Sequence, residues 1–187
     1  GHNEGDEPSY TQPVMYRAIE SHPTVRELYL DRLVTTGELS REQADEIVVT
    51  LGSSAAFSAV TLTLVEPGEE VVLFEPFYSY HRAGIPLSGG VPRYVRLEAP
   101  DFAFDPDELR AAFTAKTRAI VVNTPHNPTG AVTGRADLDD LHSAARASDT
   151  LLLSDECYAD LYEPDAFPEG PPSLLQTTGS EAKLASP

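Results

Sequence analysis

The stretch Arg118-Ala-Ile-Val-Val-Asn-Thr-Pro-His-Asn-Pro-Thr-Gly130 joins a short apolar run to a turn rich in proline and asparagine. Residues 119–122 are continuously apolar and mostly β-branched, which is typical of a parallel strand buried on both faces. The two prolines of the turn fix φ and restrict the residues before them, so we expect a rigid presentation of His126 and Asn127. Open α/β sheets bind ligands where strands end, and the Asn127 amide suits a polar substituent of a cofactor ring. An ordinary strand-to-helix loop is the alternative.

Composition limits the classes of protein to which the chain can belong. Its 187 residues, 41% of them hydrophobic, are enough for one domain with a core. A formal net charge of -17 argues against a nucleic-acid partner, because no basic patch is present to replace counterions. Cys157 is the only cysteine, which excludes an internal disulfide. We expect a cytoplasmic protein with no membrane partner, since no long apolar span or leader-like start is present. We also expect no metal site.

Strand-like and helix-like patterns alternate from residue 47 onwards. This alternation predicts an α/β fold, a three-layer α/β/α arrangement around a mostly parallel sheet. Asp105 and Pro106 mark a helix start, as N-cap and first helical residue. The expected strands are 47–51, 71–74, 91–97, 119–122 and 151–154, and the expected helices are 55–65, about 78–87, about 106–114 and 134–147.

The start of the chain differs in style, because residues 1–13 are polar, acidic and rich in turn formers. Two short helices joined near Gly37 are expected next, with Ser40 and Gln43 as the capping box of the second. We expect this segment, 1–46, and the α/β part, 47–187, to be separate.

The first 47 residues open with Gly-His-Asn-Glu-Gly-Asp-Glu-Pro and continue Ser-Tyr-Thr-Gln-Pro-Val-Met-Tyr. They resemble part of the thiamine-diphosphate-dependent first component of 2-oxoglutarate dehydrogenase. The resemblance implies that His2 and Glu4 lie near an active site, and a solvated polar start is the alternative. The diphosphate- and metal-binding motif of that family has no counterpart in this sequence.

Four strand ends carry side chains that together describe a cofactor pocket. Ser53 and Ser54 precede an apolar helix, where backbone N–H groups and hydroxyls can hold a phosphate, although serines there also act as plain caps. Tyr78 suits stacking on a planar ring or packing in the core. Asp155 follows the expected buried strand 151–154, and a poorly solvated carboxylate is costly unless it meets a cation such as a protonated pyridine nitrogen. Tyr158 can donate to an aromatic oxygen, and a cap is the alternative role for Asp155.

Two motifs occur in a characteristic order and at a characteristic spacing: Asn-Thr-Pro-His-Asn-Pro-Thr-Gly, 123–130, and Ser-Asp-Glu-Cys-Tyr, 154–158. On these motifs residues 47 to about 185 resemble the large domain of fold-type I, class I/II aminotransferases. The resemblance implies pyridoxal 5'-phosphate as cofactor, amino-acid and 2-oxo-acid substrates, and a possible homodimer. It also implies roles for six residues: Ser53 and Ser54 for the phosphate, Tyr78 for stacking, Asn127 and Tyr158 for the phenolic oxygen, and Asp155 for the ring nitrogen.

The sequence departs from that family at the lysine that forms a Schiff base with the cofactor. Lys116 and Lys183 are the only lysines, and neither lies in the Ser-x-Ser-Lys-like motif that the family uses. We therefore expect a truncated domain that is inactive alone, with no catalytic residue of its own. Two alternatives are a fragment of the thiamine-dependent dehydrogenase component and a non-catalytic domain that binds pyridoxal phosphate without chemistry.

Overall fold

The computed structural model describes residues 13–37 and 40–176. The chain divides after Val49 into two compact units. Within the described ranges, no helix combines the length and the apolar character that crossing a membrane requires.

The first unit is helical in its described part. Thr24 and Glu27 form a capping box at the start of the second helix, and Gly37 ends that helix in the left-handed conformation with φ 80°. The predicted capping box is also found, because the Ser40 N–H donates to Gln43 Oε1 at 2.9 Å and the Gln43 N–H donates to Ser40 Oγ at 3.1 Å. The sequence thus predicted the helical pair near Gly37 but not the helix before it. The three helices are α1, Pro13–Glu20, α2, Val25–Thr36, and α3, Arg41–Asp45.

The second unit is built on a five-stranded sheet with the order β3-β2-β1-β4-β5. All neighbouring strands are parallel except β3, which runs antiparallel to β2. The predicted strands from residue 71 onwards are confirmed, whereas the two-residue β3 was not predicted because it is too short to show alternation. The strands are β1, Glu70–Glu75, β2, Val91–Glu98, β3, Ala103–Phe104, β4, Thr117–Asn123, and β5, Leu151–Asp155.

Helices cover both faces of this sheet, which confirms the α/β/α arrangement. Side chains alternate along a strand, so β1 contributes to a hydrophobic cluster on each face of the sheet. Val72 and Phe74 belong to the cluster that includes the helices Pro106–Ala112 and Arg135–Ala147. Val71 and Leu73 belong to the cluster on the opposite face. All four are buried, as the continuous apolar run of a central parallel strand predicts. The helices are α4, Gly52–Leu64, α5, Ser79–Gly84, α6, Pro106–Ala112, and α7, Arg135–Ala147, with 3₁₀ turns at Ile85–Ser88 and Leu174–Gln176.

One predicted strand was wrong, and one predicted helix changes type before its end. Residues 47–51 do not form a strand, because the sheet offers them no neighbour among the described residues and a lone strand has no partner for its N–H and C=O groups. Val48 and Leu51 are accordingly 78% and 96% exposed. The helix predicted to reach about residue 87 ends at Gly84 and continues as a 3₁₀ turn, since Pro86 has no N–H to extend the α-helical ladder.

The carboxyl ends of β1, β4 and β5 are neighbours at one edge of the sheet. Asn123, the last residue of β4, pairs in register with Asp155, the last residue of β5. The polar turns that follow these strands therefore converge, and this edge is where a ligand site is expected in an open α/β sheet.

Candidate active site

A small cavity of about 40 Å³, partly open to solvent, lies at this edge. It brings together residues from α4, from the turns after β1 and β4, and from the end of β5. Five of the six predicted site residues line it, and Ser54, one position further along α4, is not among them. The lining residues are Ser53, Tyr78, Asn123, Asn127, Asp155, Cys157 and Tyr158.

Asp155 is the buried carboxylate of the site, and its side chain meets a buried histidine. Residue 155 is 8% exposed, and its Oδ2 lies 3.0 Å from His81 Nε2. Its Oδ1 accepts a hydrogen bond from the Cys157 backbone N–H at 3.2 Å. Burial works to raise the pKa of Asp155, but the hydrogen bonds from His81 and Cys157 outweigh it and hold the pKa below its usual value. The carboxylate is therefore ionised at neutral pH.

Asn127 and Tyr158, for which the family resemblance implies one shared ligand atom, lie next to each other in the cavity lining. The Asn127 Nδ2 lies 3.4 Å from the Tyr158 hydroxyl. The backbone of Asn127 is held separately, because its N–H donates to Asn123 Oδ1 at 2.8 Å. The side-chain amide and the phenol thus form a pair of donors on one wall of the cavity, both half-buried.

Tyr78 is the N-cap residue of α5 and is half-buried. Its ring meets the His81 ring edge-on, with a centroid distance of 5.4 Å and an interplanar angle of 90°. It also stacks on Tyr80 at 5.4 Å. An aromatic ring is therefore part of the cavity lining, which suits a planar ligand.

Ser53 lies in the first turn of α4, which has thirteen residues and begins without a side-chain cap at Leu51. The first N–H groups of a helix have no partner within the helix and carry partial positive charge, so this end favours an anion. Ser53 and Cys157 both line the cavity. Cys157 is exposed as a residue, yet burial of its thiol and the neighbouring Asp155 raise its pKa to about 11, so the thiol stays neutral.

Sequence reasoning missed three residues that the structure places at the site: His81, Asn123 and Cys157. Asn123 and Cys157 lie inside the two quoted motifs, so the motifs themselves contained the signal. His81 lies one helical turn beyond Tyr78 in α5, and that spacing was the available hint. Its contact with Asp155 connects residues far apart in sequence and depends on the fold.

His126, which was expected to be presented at the turn, is instead directed inwards and is 8% exposed. Its Nδ1 lies 2.7 Å from Thr129 Oγ1, and burial lowers its pKa, so the imidazole is neutral. His126 lines a second, larger cavity of about 200 Å³, which lies between the sheet and α7 and is lined mostly by apolar residues. None of the six predicted site residues lines that cavity.

Of the other residues named from the sequence, Lys116 is described and does not line the cavity. Lys116 directly precedes β4, at the opposite end of the strand from Asn123. His2, Glu4 and Lys183 lie outside the described residues. In the described ranges no group of three or more His, Cys, Asp or Glu side chains is arranged to hold a metal ion.

The cavity fits pyridoxal phosphate on the chemistry of its own groups. Asp155 is a buried carboxylate that already contacts His81 and the Cys157 N–H, and the described residues that line the cavity include no lysine or arginine, so a cationic ring nitrogen would add a charged partner for it. The Asn127–Tyr158 pair suits a ring oxygen, the Tyr78 ring suits a planar face, and the start of α4 suits a phosphate.

Comparison with known proteins assigns the family. The family model described as aminotransferase class I and II matches residues 14–180, so the chain belongs to this family, whose enzymes depend on pyridoxal phosphate. A probable N-succinyldiaminopimelate aminotransferase of Mycobacterium tuberculosis is 43% identical over 119 residues, 62% of this chain and 30% of that protein. An aspartate aminotransferase of Sulfurisphaera tokodaii is 39% identical over 118 residues, 61% of this chain and 29% of that protein.

Solved structures agree with the fold. The N-succinyldiaminopimelate aminotransferase structure from Mycobacterium tuberculosis has a TM-score of 0.67 and 35% identity, covering 73% of this chain and 35% of that one. An Escherichia coli protein with a methionine aminotransferase function has a TM-score of 0.70 and 28% identity, covering 88% of this chain and 49% of that one. The chain spans about 30% of the length of the curated relatives it matches.

Proposed function

We propose that this chain forms the pyridoxal-phosphate-binding part of an aminotransferase large domain, in which Asp155 pairs with the nitrogen of the cofactor ring. The observation that carries the proposal is the ionised, buried Asp155 carboxylate, which His81 holds in place at the cavity and beside which the described lining includes no lysine or arginine. When bound, the cofactor supplies an electron sink, which is strongest while its ring nitrogen is protonated. Asp155 keeps that proton in place by offering a fixed negative charge.

The remaining cavity residues bind and orient the ring in this proposal. Asn127 and Tyr158 donate to the phenolic oxygen, and Tyr78 covers one face of the ring and excludes water from it. The first turn of α4, with Ser53 and the adjacent Ser54, holds the phosphate. His81 acts behind the carboxylate, because its hydrogen bond fixes the orientation of Asp155 and favours the ionised form.

The substrates of the whole protein would be an amino acid and a 2-oxo acid, as the names of the transaminase relatives suggest. A homodimer remains a prediction from the family resemblance, and a cytoplasmic location remains a prediction from the sequence pattern. So does the likeness of residues 1–47 to the thiamine-dependent dehydrogenase component, most of whose quoted motif lies outside the described residues. The family match begins at residue 14, within that segment.

A calorimetric titration with pyridoxal phosphate tests the proposal. The hydrogen bonds of the site contribute about 0.5–3 kcal/mol each, against an association cost of about 4–15 kcal/mol, so we expect one saturable but weak and reversible site. Asp160→Ala removes an exposed carboxylate outside the cavity lining, and this control variant should bind pyridoxal phosphate with the affinity of the wild type. A wild-type chain with no saturable binding would refute the proposal.

A further inference from the structure

Asn123 connects the two turns that carry the proposed ring contacts, and it does so with both ends of one buried amide. Its Nδ2 donates to the backbone carbonyl of Asp155 at 3.0 Å. Its Oδ1 accepts from the backbone N–H of Asn127 at 2.8 Å. Residue 123 is 8% exposed, so water does not replace these bonds readily.

The orientation of the Asn123 amide is fixed by its partners. A backbone carbonyl can only accept, and a backbone N–H can only donate, so the NH₂ group must face Asp155 and the oxygen must face Asn127. An isosteric side chain without this donor and acceptor pair cannot make both contacts. The bridge is therefore specific for asparagine at this position.

The neighbouring residue Thr124 provides a structural contrast. It is 1% exposed, and its Oγ1 accepts from the Thr133 N–H at 3.0 Å, so its side chain fastens the loop before α7 rather than the site. Its backbone N–H donates to the Asp155 carbonyl at 3.0 Å, and a change of its side chain leaves that bond in place. The side chains of Asn123 and Thr124 thus make comparable buried hydrogen bonds to different parts of the chain.

We propose that Asn123 is a positioning residue that fixes the separation between Asp155 and Asn127, and so matches the pocket to the distance between the nitrogen and the phenolic oxygen of the pyridine ring. The inference rests on the proposed function, because those two residues are the proposed ring contacts. Asn123 acts through them, by holding the backbone of each, and the phosphate contacts at α4 are independent of it.

The test compares Asn123→Leu and Asn123→Ser with Thr124→Val. Leucine keeps a similar volume without polar atoms, and serine is too short to reach both partners. Each protein is titrated with pyridoxine 5'-phosphate, which has the ring and the phosphate but no aldehyde, and with inorganic phosphate. We expect both Asn123 variants to weaken pyridoxine phosphate binding at least tenfold, to leave inorganic phosphate binding within twofold, and Thr124→Val to leave both within twofold.

A second readout needs no ligand. Hydrogen exchange is measured at the Asn127 N–H and at the Cys157 N–H, which donates to Asp155 Oδ1. If Asn123 ties the two turns together, both Asn123 variants accelerate exchange at both amides, and Thr124→Val accelerates neither. A general loss of stability would instead accelerate exchange in all three variants.

The outcomes separate the inference from the proposed function. Wild-type chain that binds no pyridoxine phosphate refutes the proposed function, and the exchange data then decide whether Asn123 ties the two turns. Unchanged ring affinity in both folded Asn123 variants overturns the inference while the proposed function stands. Equal losses of pyridoxine phosphate affinity in Asn123→Leu and Thr124→Val overturn the inference as well. They would show that the loss of any buried hydrogen bond at this strand end has the same effect.

Discussion

His81 and Asp155 form a buried pair, with Nε2 and Oδ2 3.0 Å apart and side chains that are 5% and 10% exposed. The histidine comes from α5 and the carboxylate from the end of β5, so the contact connects two turns at the edge of the sheet. It determines the charge of the cavity, because the hydrogen bond opposes the tendency of burial to neutralise the carboxylate.

Replacement of His81 by phenylalanine is expected to raise the pKa of Asp155. Phenylalanine retains the ring contact with Phe57, whose centroid lies 4.6 Å from that of His81, but it donates no hydrogen bond. Burial then acts on the carboxylate with less opposition. A ¹³C NMR titration of the Asp155 carboxyl measures the change, with His22→Phe, on an exposed histidine, as the control. An Asp155 pKa that is the same in His81→Phe and wild type would show that the pair is not coupled.

The depressed pKa of Asp155 also predicts how stability depends on pH. The folded-state pKa lies below the unfolded-state value of about 3.9, so the carboxylate contributes stability that is fully present above that value. The contribution is lost as the pH falls through the folded-state pKa. We expect the difference in free energy of unfolding between wild type and Asp155→Asn to shrink on acidification below about pH 4. A difference that grows on acidification would reverse the assigned direction of the pKa shift.

A prediction about the hydrophobic core concerns Leu138, which is fully buried on α7 between the helix and the sheet. Leu138→Ala is expected to lower the free energy of unfolding by about 2–5 kcal/mol, because it loses apolar burial and leaves a cavity. Leu62→Ala on α4 is the matched control, since Leu62 is 62% exposed and its loss should cost about 0.5 kcal/mol or less. Urea denaturation of both variants measures the difference, and similar losses would contradict the described packing.

Much of the fold could be predicted because its signals are local. The continuous apolar runs of β1 and β4 identify buried parallel strands, and Asp105 with Pro106 marks the start of α6, where the Asp105 side chain accepts from the Asp107 N–H at 2.8 Å. The run 47–51 gave the same signal as a strand and did not become one. Whether an apolar run forms a strand depends on a neighbour, which a local pattern does not contain.

The site was predictable to the level of its motifs but not of its internal connections. Asn127, Asp155 and Tyr158 are recognisable because they stand at the carboxyl end of a buried strand or within four residues of it, where ligand sites form in open α/β sheets. The bridge from Asn123 to Asp155 spans 32 positions and follows from the register of β4 against β5. The position of His81 behind Asp155 depends on how α5 packs against the sheet. Both contacts are tertiary, and no local spacing encodes them.

Borohydride reduction tests the expectation that no lysine of this chain reacts with the cofactor in the pocket. Lys116 lies at the opposite end of β4 from the cavity, so we expect peptide mass mapping to find no stoichiometric pyridoxyl label on either lysine. Lys116→Arg serves as a control for scattered surface labelling. Stoichiometric labelling of Lys183 that is lost in Lys183→Arg would identify that residue as the covalent partner and contradict the expectation.

The pairing of Asp155 with the ring nitrogen is the central claim, and ¹⁵N NMR of pyridoxal phosphate labelled at that nitrogen measures it directly. At saturating protein and neutral pH, the wild-type complex should show the chemical shift of a protonated pyridine nitrogen. The Asp155→Ala complex should show an unprotonated one, because the buried ring loses its counter-charge. The same unprotonated shift in both complexes, or a protonated nitrogen that persists in Asp155→Ala, would contradict the account.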